Sequence, residues 1–156
     1  MKKLFIILIF TINLMANDIY LLPQDSNTAK ERIRYEIVTA KESIFLAMYN
    51  FSYQKIAKEL IKASRNGVKV TVLLDKEKVE DDDEIFELLT EKNIKVVFDE
   101  SIEKMHLKAM LIDNSLAMIG SMNFTKKTFE KNLELVYFSK DRRLISKLKE
   151  LRAKFK

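Results

Sequence analysis

The sequence has no cysteine and no tryptophan, one proline, two glycines and a single histidine among its 156 residues. The lack of cysteine excludes disulfides, a thiolate nucleophile, a lipidated cysteine anchor and any cysteine-ligated zinc. One histidine excludes a histidine-rich metal site within one chain and leaves only carboxylate sites for Mg2+ or Ca2+ open. Scarce proline and glycine argue against low-complexity linkers, and no repeat of solenoid length occurs. The longest apolar run, about 12 residues from Leu4, is short for a membrane span, which takes about 20.

What remains is an ordinary globular balance, 47% hydrophobic and 33% charged, long enough for one domain with its own core. Residues 1–16 read as a secretory signal peptide: Lys2 and Lys3 form a charged start, an apolar stretch follows, and Ala16 suits a cleavage site. The alternative is an uncleaved anchor. The expected division is therefore a signal peptide at 1–16 and a folded domain at 17–156. Net charge is +5, falling to +3 without Lys2 and Lys3 (26 basic minus 23 acidic). Residues 80–84 are all acidic, whereas the tail from Lys140 is strongly basic. A polyanion would avoid the first and approach the second.

Periodicity predicts strands at 19–22, 43–49, 68–74, 95–98, 106–112, 116–119 and 132–138. Ser26 or Asn27 caps a helix carrying Ala29, Ile33 and Ile37. Ser52 caps another that carries Ile56, Leu60 and Ala63 and stops at Gly67. The acidic cluster marks the N-terminus of a third helix, and 141–155 forms an amphipathic last one with Leu144, Ile145, Leu148, Leu151 and Phe155 on one side. Strand–helix alternation over the first hundred residues implies βαβ units. A hairpin turning at Asp113-Asn114-Ser115 then adds antiparallel pairing. The expected fold class is α/β: a mixed, largely parallel sheet flanked by helices on both faces, in one domain.

The single histidine, His106, opens a distinctive run. His106 and Lys108 share one face of a strand, while Leu107, Ala109 and Leu111 point the other way, into a core. Asp113, Gly120, Ser121 and Asn123 follow. The spacing His-x-Lys-x4-Asp-x6-Gly-Ser-x-Asn resembles the HKD motif of the phospholipase D superfamily, and six matched positions are improbable by chance. Asn132-Leu133-Glu134 resembles the family's downstream acidic segment. Ala47–Phe51 and Asn66–Val70 followed by Asp75 resemble its first strands. The small size, signal peptide and single motif most resemble the short bacterial endonucleases of the superfamily. The resemblance implies a phospholipase D-like αβα sandwich.

The chemistry follows from the residue types. Lys108, Ser121 and Asn123 surround a phosphodiester's oxygens with charge and donors. His106 attacks phosphorus to give a phosphohistidine. Glu134 accepts from the other ring nitrogen and fixes the tautomer. Asp113 is assigned to structure, and Gly120 with Ser121 lets the backbone approach the phosphate. Lys126, Lys127 and Lys131 are candidate contacts to flanking phosphates, against the plainer reading of a solvated cluster. No metal or cofactor is expected. The leaving alkoxide needs a proton that family logic takes from a second histidine, so a homodimer joining two copies of 106–123 is expected. The leading reading is an exported, metal-independent, non-specific endonuclease acting on DNA, with RNA open. It would be periplasmic, bound to the outer membrane or secreted, with no membrane span once the signal is removed. The competing readings are a phospholipase D or phosphatidyltransferase acting on phospholipid, and a non-catalytic nucleic-acid-binding module at the envelope.

Overall fold

The computed structural model describes residues 17–155. The expected signal peptide lies outside them. Thirteen elements follow in the order β1 (Asn17–Leu22), α1 (Ser26–Thr39), β2 (Ser43–Met48), α2 (Gln54–Arg65), β3 (Lys69–Leu74), α3 (Lys76–Asp81), α4 (Glu84–Thr90), β4 (Lys95–Val97), β5 (Lys108–Ile112), β6 (Leu116–Gly120), α5 (Lys126–Lys131), β7 (Glu134–Ser139) and α6 (Arg142–Ala153). The seven strands form one sheet in the order β1-β7-β6-β5-β2-β3-β4.

The sheet is mixed and helix-covered on both faces, as expected, but it is not largely parallel. Only β2/β3 and β3/β4 pair in parallel; the other four neighbours are antiparallel. The cause is the C-terminal half. The β5–β6–β7 meander inserts itself between β2 and β1, so the first strand pairs with the last rather than with the second.

Two cores sandwich the sheet. One lies under α1, α2, α4 and α5, and contains Ile33, Ile37, Leu60, Phe129 and the strand residues Leu46, Val72, Met110 and Phe138. The other is smaller. There Ile145 and Leu148 of α6 meet Phe45, Leu73, Ala109 and Leu111. Phe124 and Phe129 are fully buried and pack against each other, so neither is available to stack on a base. Helix α6 lies over β5 and β6. Over β1 and β7 the same face carries Ile19, Leu21 and Leu135 in the open. These share a face because Ile19 pairs with Tyr137 and Leu21 with Leu135.

Local chemistry explains the element ends. Gly67 at φ +90° terminates α2. Asp113 (φ 48°) and Asn114 (φ 55°) form the left-handed pair of a tight hairpin, closed by Ser115 N–H donating to the Ile112 carbonyl at 3.0 Å. The expected serine caps are not used. Asp25 precedes α1 and accepts instead from Leu21 N–H, and Tyr53 precedes α2 without a side-chain cap. The acidic cluster spans a break: Glu80 and Asp81 end α3, and Glu84 opens α4. The short helices α3 and α5 were not expected from the sequence.

Candidate active site

The C-terminal ends of β1, β2, β3 and β6 and the N-terminal ends of β5 and β7 make one rim of the sheet. Register places Met48 beside Lys108 and Leu22 beside Glu134 on that rim. The opposite rim carries Asn17, paired with Ser139.

His106 sits on the first rim, two residues before β5, with its side chain exposed. The backbone on either side of it is fixed. Met105 N–H donates to the buried carboxylate of Asp75 at 2.8 Å, and Tyr49 N–H donates to the Leu107 carbonyl at 2.9 Å. Asp75 also caps α3 through Lys78 N–H at 3.2 Å. Leu107 does not enter a core as expected. It stands 43% exposed because the strand starts only at Lys108.

Lys108 is 8% exposed, and its ammonium donates to the His106 carbonyl at 2.9 Å and lies 3.2 Å from the same residue's Nδ1. Burial pushes its pKa below the ordinary lysine range, while the negative charge of Glu134 pulls the other way. An ammonium only donates, so beside it Nδ1 stands as the acceptor. The Tyr49 ring backs the pair, 4.3 Å from the imidazole and 4.8 Å from the ammonium. Lys104 and Lys78 approach the same ring at 5.5 and 5.9 Å.

The other motif residues form an adjoining network. Ser121 Oγ donates to Glu134 and accepts from Leu135 N–H at 3.1 Å, while Asn132 donates to the second oxygen of Glu134 at 3.2 Å. The expected hydrogen bond from the imidazole to Glu134 is therefore not made. Both carboxylate oxygens are taken by Ser121 and Asn132, and Nδ1 faces Lys108. The side-chain oxygen of Asn123 accepts from Asn50 N–H at 3.2 Å, which ties this loop to the end of β2 and leaves the amide protons for another acceptor.

Asp113 lies at the far end of β5. Its carboxylate accepts from the N–H groups of Lys41, Glu42 and Ser43 at 2.8, 2.8 and 3.0 Å, fixing the start of β2. Burial alone would raise its pKa; the three backbone donors outweigh that and hold it below the usual aspartate value. Gly120 does not open the backbone to a phosphate. A Cβ there would meet the Leu135 carbonyl oxygen at 2.1 Å, so the glycine exists to let β7 close on β6. Lys126, Lys127 and Lys131 are exposed on α5, and none bonds to the groups around His106. Sequence reasoning passed over the roles of Tyr49, Asn50 and Asp75. The available signal was an aromatic or acidic residue just past the C-terminal end of a buried strand, where α/β sheets gather ligand-facing groups.

The sequence and fold match those of known proteins. Residues 33–155 match the family described as cardiolipin synthase, PLD-like domain. The phospholipase D of Rickettsia prowazekii is 34% identical over 109 residues, 70% of this chain but 53% of that protein. This chain thus spans about half the length of that relative. NucT from Helicobacter pylori superposes with a TM-score of 0.79 at 26% identity, covering 88% of this chain and 93% of the other. Nuc from Salmonella typhimurium, a phospholipase D family member, gives 0.78 at 26% identity, with 86% and 89% covered. With a matching fold, a motif gathered on one rim and a family match over most of its length, the chain belongs to the PLD-like family of the phospholipase D superfamily.

Proposed function

We propose that this protein is an exported phosphodiesterase that cuts nucleic acid without a metal, through a phosphohistidine formed on His106 in a homodimer. One observation carries the reading: an exposed imidazole held 3.2 Å from a buried ammonium. A phosphodiester oxygen would take the Lys108 ammonium, with Ser121 and Asn123 donating to its neighbours. That frees the imidazole lone pair. A ring nitrogen of His106 then bonds to phosphorus as the P–O bond to the leaving group breaks. Glu134, released by Ser121 and turning from Asn132, would accept the remaining ring proton and stabilise the imidazolium.

The alkoxide must gain a proton, and the chain has no second histidine. The partner's His106 would supply it and later deprotonate the water that releases the phosphate. Exposed leucines support such a partner. Leu107 stands between His106 and Lys108, and Leu133 (82% exposed) and Leu135 flank Glu134. Leu135 continues the open strip of Ile19 and Leu21, and a surface of this kind marks an interface.

Likeness in fold to NucT and Nuc supports the nucleic-acid substrate. Among the described residues no three of His, Cys, Asp and Glu gather to hold a metal ion, and no helix is long and apolar enough to cross a membrane. Asn17 is the first residue of β1, so cleavage after Ala16 would leave the sheet whole. The lipid reading has its own support in names: the family is described as cardiolipin synthase, PLD-like domain, and the relative that is 34% identical as a phospholipase D. Purified protein incubated with plasmid in EDTA decides. Nicking that persists in chelator and is lost in His106→Ala is the expected result. Phosphatidic acid released from phospholipid vesicles, with plasmid left intact, would overturn it.

A further inference from the structure

A second feature lies outside the catalytic rim. Helices α1, α2 and α4 enclose a groove of some 590 Å3. Its floor is apolar, built from Tyr53, Ile56, Ile61 and Leu88. Its walls are basic. Helix α1 contributes Lys30 and Arg34, α2 contributes Lys55, Lys58, Lys62 and Arg65, and Lys92 follows α4. Against these seven stand only Glu31 and Glu59, and Glu59 is held by both Arg34 and Lys62 at 3.2 Å. The groove thus has a surplus of five positive charges, while residues 17–156 together sum to +3. The rest of the domain is net negative. Folding has gathered here charge that is dispersed along the sequence.

The groove also connects with the motif loop. Ser52 and Tyr53 N–H both donate to the Phe124 carbonyl, at 3.0 and 2.9 Å, directly after Asn123. Tyr53 packs on Phe129 with ring centroids 5.1 Å apart. The upper end of the groove is therefore attached to the peptide that carries Asn123.

We propose that this groove binds a single strand of nucleic acid and guides it to the His106 rim; the inference rests on the nucleic-acid reading above. Repeating phosphates match lysines along two helices, and bases have flat apolar faces for a floor that includes Tyr53. A bilayer is a poorer fit, because a flat surface reaches protruding residues and these apolar ones are recessed. Lys55 and Lys58 are the useful probes. Both are exposed, and among the described residues neither is within ion-pairing distance of a carboxylate.

The test uses the full chain. A labelled oligodeoxythymidine is titrated against His106→Ala protein by fluorescence anisotropy at two salt concentrations. Adding Lys55→Glu and Lys58→Glu should weaken binding about tenfold or more and lower the salt dependence by about 1.4, two contacts at roughly 0.7 each. Arg143→Glu with Lys149→Glu, on α6, should change affinity less than about twofold. In the His106 protein, the groove variant should hydrolyse bis(p-nitrophenyl) phosphate at the wild-type rate, since that substrate is too small to reach the groove. Unchanged oligonucleotide affinity in the groove variant, or an equal loss in the α6 variant, overturns the proposal. So does binding of phosphatidylglycerol vesicles that depends on Lys55 and Lys58 while the oligonucleotide binds neither protein. An oligonucleotide that binds through the groove but is not cut by the His106 protein would remove the nuclease reading and leave the groove standing.

Discussion

At position 120 a β-carbon would stand 2.1 Å from the carbonyl oxygen of Leu135, and a backbone oxygen in a paired strand has nowhere to go. Gly120→Ala is therefore expected to cost about 3 kcal/mol, the upper end of ordinary overpacking, and to be visible as a lower midpoint in urea. Asp113 makes the opposite kind of contribution, three N–H groups converging on one carboxylate. Asp113→Ala should remove about 2 kcal/mol, since bonds to a charged group exceed neutral ones. The pH dependence has a definite sign. The folded pKa lies below the unfolded one, so this stability is fully present above the ordinary aspartate value and is lost as pH falls through the lower folded value. Urea midpoints of wild type and Asp113→Ala should hence converge only in strong acid. His106, Lys108, Ser121 and Asn123 were legible in sequence because their spacing alone specifies them. The partner of Glu134 was not. Whether a carboxylate turns to an imidazole or to Ser121 depends on two strands meeting across 13 residues of chain. The reason for Gly120 was hidden in the same way, since the atom it avoids belongs to another strand.

Among the elements, the segment between β4 and β5 carries the reactive residue without being a strand or a helix. Its fixed point is Asp75 at the end of β3, which accepts from Met105 N–H and from α3 at once. Asp75→Ala leaves a buried N–H unpaired and uncaps α3, a loss of about 2 kcal/mol. A positioning role adds a kinetic signature: kcat should fall more than KM changes on a small phosphodiester, and Asp75→Asn, which keeps an acceptor oxygen, should recover part of it. Equal changes in kcat and KM, with no recovery in the asparagine variant, would reduce Asp75 to a stability residue. Long elements with clear periodicity were readable. The stripe Ala29, Ile33, Ile37 is buried as its spacing implies. The six-residue helices α3 and α5 offer too few turns for a periodic signal.

At the scale of the molecule, sequence order conceals how the sheet closes. Nothing local in Asn17–Leu22 announces a partner more than a hundred residues away, and that pairing, with the β5–β6–β7 meander inserted beside β2, turns a largely parallel expectation into a mostly antiparallel ladder. The uncovered face that results includes Ile19 at 63% and Leu21 at 49% exposure. Ile19→Glu with Leu21→Glu should cost little in a lone chain, within about 0.5 kcal/mol per exposed site. It should nevertheless shift sedimentation from dimer to monomer and abolish turnover, because the second imidazole departs with the partner. A variant that sediments and turns over like wild type would remove that face from the assembly. The route of β1 has one further effect. The chain enters at Asn17 on the rim opposite His106 and travels six residues, about 20 Å, before reaching Leu22 beside Glu134. A tether fastened upstream of Asn17 would hold the domain by its far pole. The reactive end would face outward, toward polymers drifting past rather than the surface holding it.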